Sequence, residues 1–102
     1  MDSLKPPSGM GSLWTKTSYL ARMAAATGTT IEELTGRGQG RRMAFVRFAC
    51  FLQLRRLKGF SLPQIGAIFN RDHTTVLHGI LRAEKMEKAS ASFRALMEDV
   101  KP

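Results

Sequence analysis

Apolar residues along this chain recur at helical spacing, and no stretch alternates with the two-residue period of a strand. Tyr19, Leu20, Met23 and Ala24 mark a helix from about residue 15, with Gly28 placed to end it in a left-handed turn. Thr30-Ile31-Glu32-Glu33 is a capping box, in which the threonine hydroxyl and the glutamate carboxylate each satisfy a free backbone N–H. The short helix it starts stops at Gly36, because three glycines within residues 36–40 cost too much backbone entropy for regular structure. A long helix over 41–58 follows, apolar around most of its circumference and so expected to be central and buried, with Gly59 closing it. Ser61-Leu62-Pro63-Gln64 is a second capping box, and Leu62, Ile65, Ile68 and Phe69 give the next short helix an apolar face. After a break at Asn70-Arg71, Asp72 is a good N-cap for a helix over 73–88, with Val76, Leu77, Ile80 and Leu81 as its expected core stripe. A last helix after Ser90 carries Phe93, Leu96, Met97 and Val100. The pattern predicts an all-α fold: a compact bundle of about five to six helices over 14–102, behind a flexible tail at 1–13 rich in Pro, Gly and Ser.

Composition narrows the partners. At 102 residues with 43% apolar content, the chain suits one domain with a modest core and needs neither disulfide nor metal. A single cysteine, Cys50 within the apolar helix, reads as core packing and fits a reducing, cytoplasmic setting. The first residues lack the apolar run of a signal peptide, and no stretch approaches a membrane span of roughly 18–20 residues. There are 16 Lys and Arg against 8 Asp and Glu, a formal charge of +8. No acid lies between Glu33 and Asp72, an interval that holds Arg37, Arg41, Arg42, Arg47, Arg55, Arg56, Lys58 and Arg71. So one-sided a basic middle points to a polyanion, nucleic acid before a membrane surface.

The candidate reader lies at 61–88. Two helices joined by a tight turn, the second opening on polar side chains, form a helix-turn-helix pattern, with Gly66 expected where the helices approach closely. With Val76, Leu77, Ile80 and Leu81 assigned to the core, His73, Thr74 and His78 are left to face outward. Threonine can exchange hydrogen bonds with a base and offer a methyl to thymine; histidine can bond to a purine edge or a phosphate. Other chemistry fits poorly. His73 and His78 diverge by about 140° on a helix of 3.6 residues per turn, and no second cysteine is near, so no metal site is expected. Asp72, His73 and Ser61 do not make a triad, because adjacent Asp and His at a helix start point in different directions. No catalytic residue and no cofactor is expected.

Ser61-Leu62-Pro63-Gln64-Ile65-Gly66, followed by Arg71-Asp72-His73-Thr74-Thr75-Val76-Leu77-His78, resembles the C-terminal DNA-binding domain of the bacterial replication initiator DnaA. The resemblance spans roughly residues 19–88 and implies a helix-turn-helix bundle of the Trp-repressor-like type that binds double-stranded DNA at nine-base-pair boxes of the form TTATNCACA. It implies that Pro63, Asp72, His73 and Thr74 meet bases in the major groove, and that Arg47, Arg55, Leu62, Thr75 and His78 contact phosphates or backbone. A family arginine in the basic loop enters the minor groove; here Gln39 takes that position, with Arg37 and Arg41 two residues to either side, and either arginine can substitute. Two departures stand out. A single Asn70 replaces the usual Gly-Gly before the RDH run, and Phe48 replaces a polar residue after Arg47.

No GKT/S-type phosphate loop occurs in the 102 residues, so the chain reads as a stand-alone relative of the DNA-reading domain or a fragment of a larger one, nucleoid-associated and acting by occupancy. Two other readings stay open. One is an adaptor whose Phe45, Phe48, Phe51 ladder and C-terminal helix dock on a protein or a second copy; the other is a non-specific basic nucleoid-type binder.

Overall fold

The computed structural model describes residues 11–37 and 40–102, with side chains from Lys16 onward, and holds six helices and no strand among them. They are α1 (Gly11–Thr27), α2 (Ile31–Thr35), α3 (Gly40–Lys58), α4 (Leu62–Phe69), α5 (His73–Ala89) and α6 (Ala91–Asp99). The fold is all-α, as the periodicity predicts. Helix α1 starts at Gly11, earlier than expected, so residues 11–13 of the expected tail are helical; its first ten residues lie outside those described.

Local chemistry sets the ends of the elements. Both capping boxes form: Glu33 N–H donates to Thr30 Oγ1 at 3.0 Å and Thr30 N–H to Glu33 Oε1 at 2.9 Å. At α4, Gln64 N–H donates to Ser61 Oγ at 3.2 Å and Ser61 N–H to Gln64 Oε1 at 2.8 Å. Gly28 and Gly59 both sit at φ +67°, the left-handed turn that ends α1 and α3.

Helix α3 is the axis of the core and packs against α2, α4, α5 and α6. Met43, Val46, Ala49, Cys50, Phe51, Leu52 and Leu54 are all buried along it. Burial pushes the Cys50 thiol above its ordinary pKa, so it stays protonated and inert within the core. Gln53, also buried, donates to Met97 O at 2.7 Å and ties α3 to α6. Of the phenylalanine ladder, Phe51 is core, and Phe45 and Phe48 are half-buried against it. Phe60 is half-buried against Tyr19, ring centroids 5.6 Å apart.

The core stripe of α5 differs from the expected one. Val76 and Ile80 are buried, but Leu77 and Leu81 are 39% and 49% exposed; Gly79 and Ala83 complete the stripe instead. Positions 76, 79, 80 and 83 share one helical face, and its centre is a glycine because α3 crosses there at close range. A Cβ on Gly79 would stand 2.7 Å from Phe51 Cδ2 and 2.8 Å from Phe48 Cδ1. Phe48, the departure noted after Arg47, therefore fills the space that Gly79 leaves.

Two outcomes test this crossing. Gly79→Val should lower stability by about 2–3 kcal/mol, the cost of overpacking, read as a lower denaturant midpoint at unchanged slope. Ile80→Ala should cost about 2–5 kcal/mol, whereas Leu77→Ala should stay within about 1 kcal/mol; equal losses would return Leu77 to the core.

Candidate nucleic-acid interface

The break between α4 and α5 is built by three residues. Asn70 adopts the left-handed conformation (φ 58°, ψ 47°) that a glycine usually supplies, which asparagine tolerates best among the other residues. Its N–H and that of Arg71 both reach back to Gly66 O, the latter at 2.8 Å. A Cβ on Gly66 would stand 2.4 Å from Arg71 O, so the glycine is required by the turn's own backbone. A one-residue replacement for Gly-Gly is thereby accommodated.

Asp72 caps α5. Its Oδ2 accepts from Thr74 N–H at 2.9 Å and also from the Thr74 hydroxyl. These bonds hold the Asp72 carboxyl below the usual carboxylate range. Asp72 Oδ1 lies 3.7 Å from His73 Nδ1, too far for a hydrogen bond, so it can still accept one from outside. Pro63, Asn70, Asp72 and His73 line an open cleft of about 440 Å³ between the start of α4 and the start of α5. Of the residues expected to meet bases, the fold thus brings Pro63, Asp72 and His73 together, with Thr74 exposed beside them. Thr75 and His78 are exposed on the same helix, and Leu62 is half-buried.

The arginines divide into different roles. Arg55 is exposed and donates to Phe60 O at 2.9 Å, pinning the turn into α4. Arg47 is enclosed by the fold. It is only 6% exposed, and its guanidinium donates to Leu34 O at 3.1 Å, Glu33 O at 2.6 Å and Gly36 O at 3.3 Å. Its Nε and one terminal amino group thereby hold the end of α2. Arg42 does the same for α1, donating to Thr27 O at 3.1 Å. Arg37 and Arg41 are exposed on either side of the basic loop, and Gln39 lies outside the described residues.

Arg71 was not singled out by the sequence pattern. Its guanidinium donates to Thr35 O and Phe69 O, both at 3.1 Å, to Asn70 O at 3.3 Å, and to Gly36 O. It joins the end of α2 to the turn before α5. The signal that could have found it is negative. Helix α2 has no basic residue in its last turn, and Gly36 is extended (φ −81°, ψ −177°) with no left-handed cap, so its last carbonyls need donors from elsewhere. Burial first and the charge of Arg71 second push Arg47 below the usual guanidinium range; burial and then Arg37 do the same to Arg71. Arg71 thus shares the field of two other guanidiniums, Arg47 and Arg37, beside the turn that leads into α5.

Among the described residues no helix is long and apolar enough to cross a membrane, and no group of three or more His, Cys, Asp or Glu could hold a metal ion.

Residues 20–82 match the family model of the bacterial dnaA protein helix-turn-helix. The chain is 38% identical over 73 residues to the chromosomal replication initiator protein DnaA of Deinococcus radiodurans, covering 71% of this chain and 16% of that protein. It is 40% identical over 73 residues to the same-named protein of Mycobacteroides abscessus, covering 72% of this chain and 14% of that one. The chain therefore spans about one-sixth or less of the length of these relatives. The matched span holds α4, the turn after it, α5 as far as Arg82 and the arginine-anchored end of α2, and the chain belongs to the DnaA helix-turn-helix family of DNA-binding domains.

Proposed function

We propose that this chain reads duplex DNA at boxes resembling TTATNCACA and acts by occupying them. What supports the reading is the first turn of α5: polar, exposed, capped by Asp72 and flanked by the clustered guanidiniums, on a helix whose opposite face is fixed in the core. In this reading α5 enters the major groove. Asp72 Oδ1 accepts from a cytosine amino group, which only the CACA half of the box offers on that strand. His73 and Thr74 meet neighbouring base edges, and Pro63 packs against the base step beside them. Thr74, its hydroxyl proton held by Asp72, presents a methyl and an acceptor oxygen.

Phosphates are held by Arg55, Thr75, His78 and the backbone at Leu62. The A·T-rich TTAT half is read from the minor groove by Arg37 or Arg41, because a narrow A·T minor groove draws in arginine. Phosphate contacts set register and base contacts discriminate. The output is regulation: a bound chain competes with an initiator for its boxes, or represses or activates a neighbouring promoter. The action lies at the nucleoid, and the mechanism needs no cofactor.

Fluorescence anisotropy with a labelled TTATCCACA duplex against the same bases scrambled tests the reading. A preference of roughly a hundredfold or more at moderate salt is expected, as for specific readers. Equal affinity with a steep salt slope would instead identify a non-specific binder.

His73→Ala and Thr74→Ala should each cost about 1–3 kcal/mol on the box and little on scrambled DNA. A loss that is equal on both duplexes would remove these residues from base readout. Arg41→Ala should weaken every duplex and lower the salt slope by about one unit if the side chain pairs with a phosphate, and should relax preference in the TTAT half if it enters the minor groove. Arg47→Ala should act through the fold. Leaving the Glu33, Leu34 and Gly36 carbonyls without their donor should cost about 1–3 kcal/mol of stability, measured by denaturant unfolding without DNA.

A further inference from the structure

We infer that Arg71 is a positioning residue that sets Gly36 and Arg37, where the basic loop begins, at a fixed place relative to the reading helix, so that the two grooves are read in register. The inference rests on the two-groove reading above and adds the part that joins its two halves. Helix α2 is one turn and a half long and is held in the core by one fully buried side chain, Leu34. Its last carbonyls are the point from which the basic loop departs. Arg47 fixes that point from the core side, through Glu33, Leu34 and Gly36. Arg71 fixes it from the reader's side, through Thr35 and Gly36, while the same guanidinium holds Phe69 O and Asn70 O in the turn before α5.

One planar group with five N–H donors thus spans two chain segments that are 35 residues apart in sequence at Gly36. Gly36 O receives both arginines. Arg37, the first loop arginine, follows directly on that carbonyl and lies close enough to lower the pKa of Arg71. A displacement of this carbonyl group would therefore move Arg37 against His73 and Thr74 without moving the core, to which Arg41 is fixed through α3.

Lysine cannot substitute. It keeps the charge but is a point donor without the fork that reaches both segments at once. Arg71→Lys is therefore expected to retain the salt slope and the binding of scrambled DNA. The measurement is a scan of single base-pair changes across TTATCCACA. The wild type should discriminate in both halves, whereas Arg71→Lys should lose about tenfold of its discrimination in the TTAT half and keep that in the CACA half within about twofold. Arg71→Met, which removes the charge as well, should show the same one-sided loss together with a lower salt slope. An unchanged scan for Arg71→Lys, or equal loss in both halves, would overturn the assignment. A wild type that discriminates in neither half would overturn the two-groove reading beneath it, which the variants alone could not do. Exchange of the Arg71 guanidinium protons in the free wild-type protein needs no variant: slow exchange is expected, and free rotation with fast exchange would contradict the anchoring.

Discussion

The last turn of α2 leaves carbonyls that its own short helix cannot satisfy, and two arginines from distant parts of the chain converge on them. Arg47 reaches out from the buried helix α3, and Arg71 reaches across from the turn before α5. Cations suit a helix C-terminus, where the peptide dipoles gather negative charge. The pairing therefore offsets some of the cost of enclosing two guanidiniums near one another. Without it the end of α2 and the turn before α5 would be joined only through side-chain packing in the core.

This arrangement changes how the charge of the chain is understood. A formal +8 with an acid-free middle suggests a broad phosphate-binding face. Several of those arginines also donate to the main chain: Arg42 to Thr27 O, Arg47 to the end of α2, Arg55 to Phe60 O, Arg71 to both α2 and its own turn. On the far side, Arg56 pairs with Glu87 at 2.7 Å and Arg94 donates to Glu87 O at 2.8 Å, tying α3 and α6 to α5. Basic residues brace the scaffold here as well as presenting a field to a polyanion.

Signals confined to a few adjacent residues were legible in the sequence. Two capping boxes, the glycines that end α1 and α3, Asp72 as a cap and the demand for glycine at Gly66 each depend on neighbours within about five positions. The outward placement of His73, Thr74 and His78 followed from the helical period. What escaped depended on a second segment. Leu77 and Leu81 look like core by hydrophobicity, yet the face that meets α3 is set by how closely two helices can cross, and that is decided by Gly79 against Phe48 and Phe51. The resemblance implies a phosphate contact for Arg47, and nothing local shows that it also holds carbonyls 11 to 14 residues away. Arg71 stands inside the most recognisable run of the chain and its partners on α2 lie 35 and 36 residues away, a distance no local pattern conveys.

The central claim is that a preformed face, made of the first turn of α5 and the basic loop, meets DNA while the arginine-held frame behind it stays as it is. Amide chemical shifts of the isotope-labelled chain, followed during titration with a TTATCCACA duplex, test this most directly. The account predicts large changes at His73, Thr74, Thr75, His78, Arg37 and Arg41, with small ones along the buried face of α3 and at α6. Changes spread through Ala49, Leu52, Gln53 and Met97, or centred on the exposed Leu57 and Leu81 with α5's first turn unmoved, would contradict it.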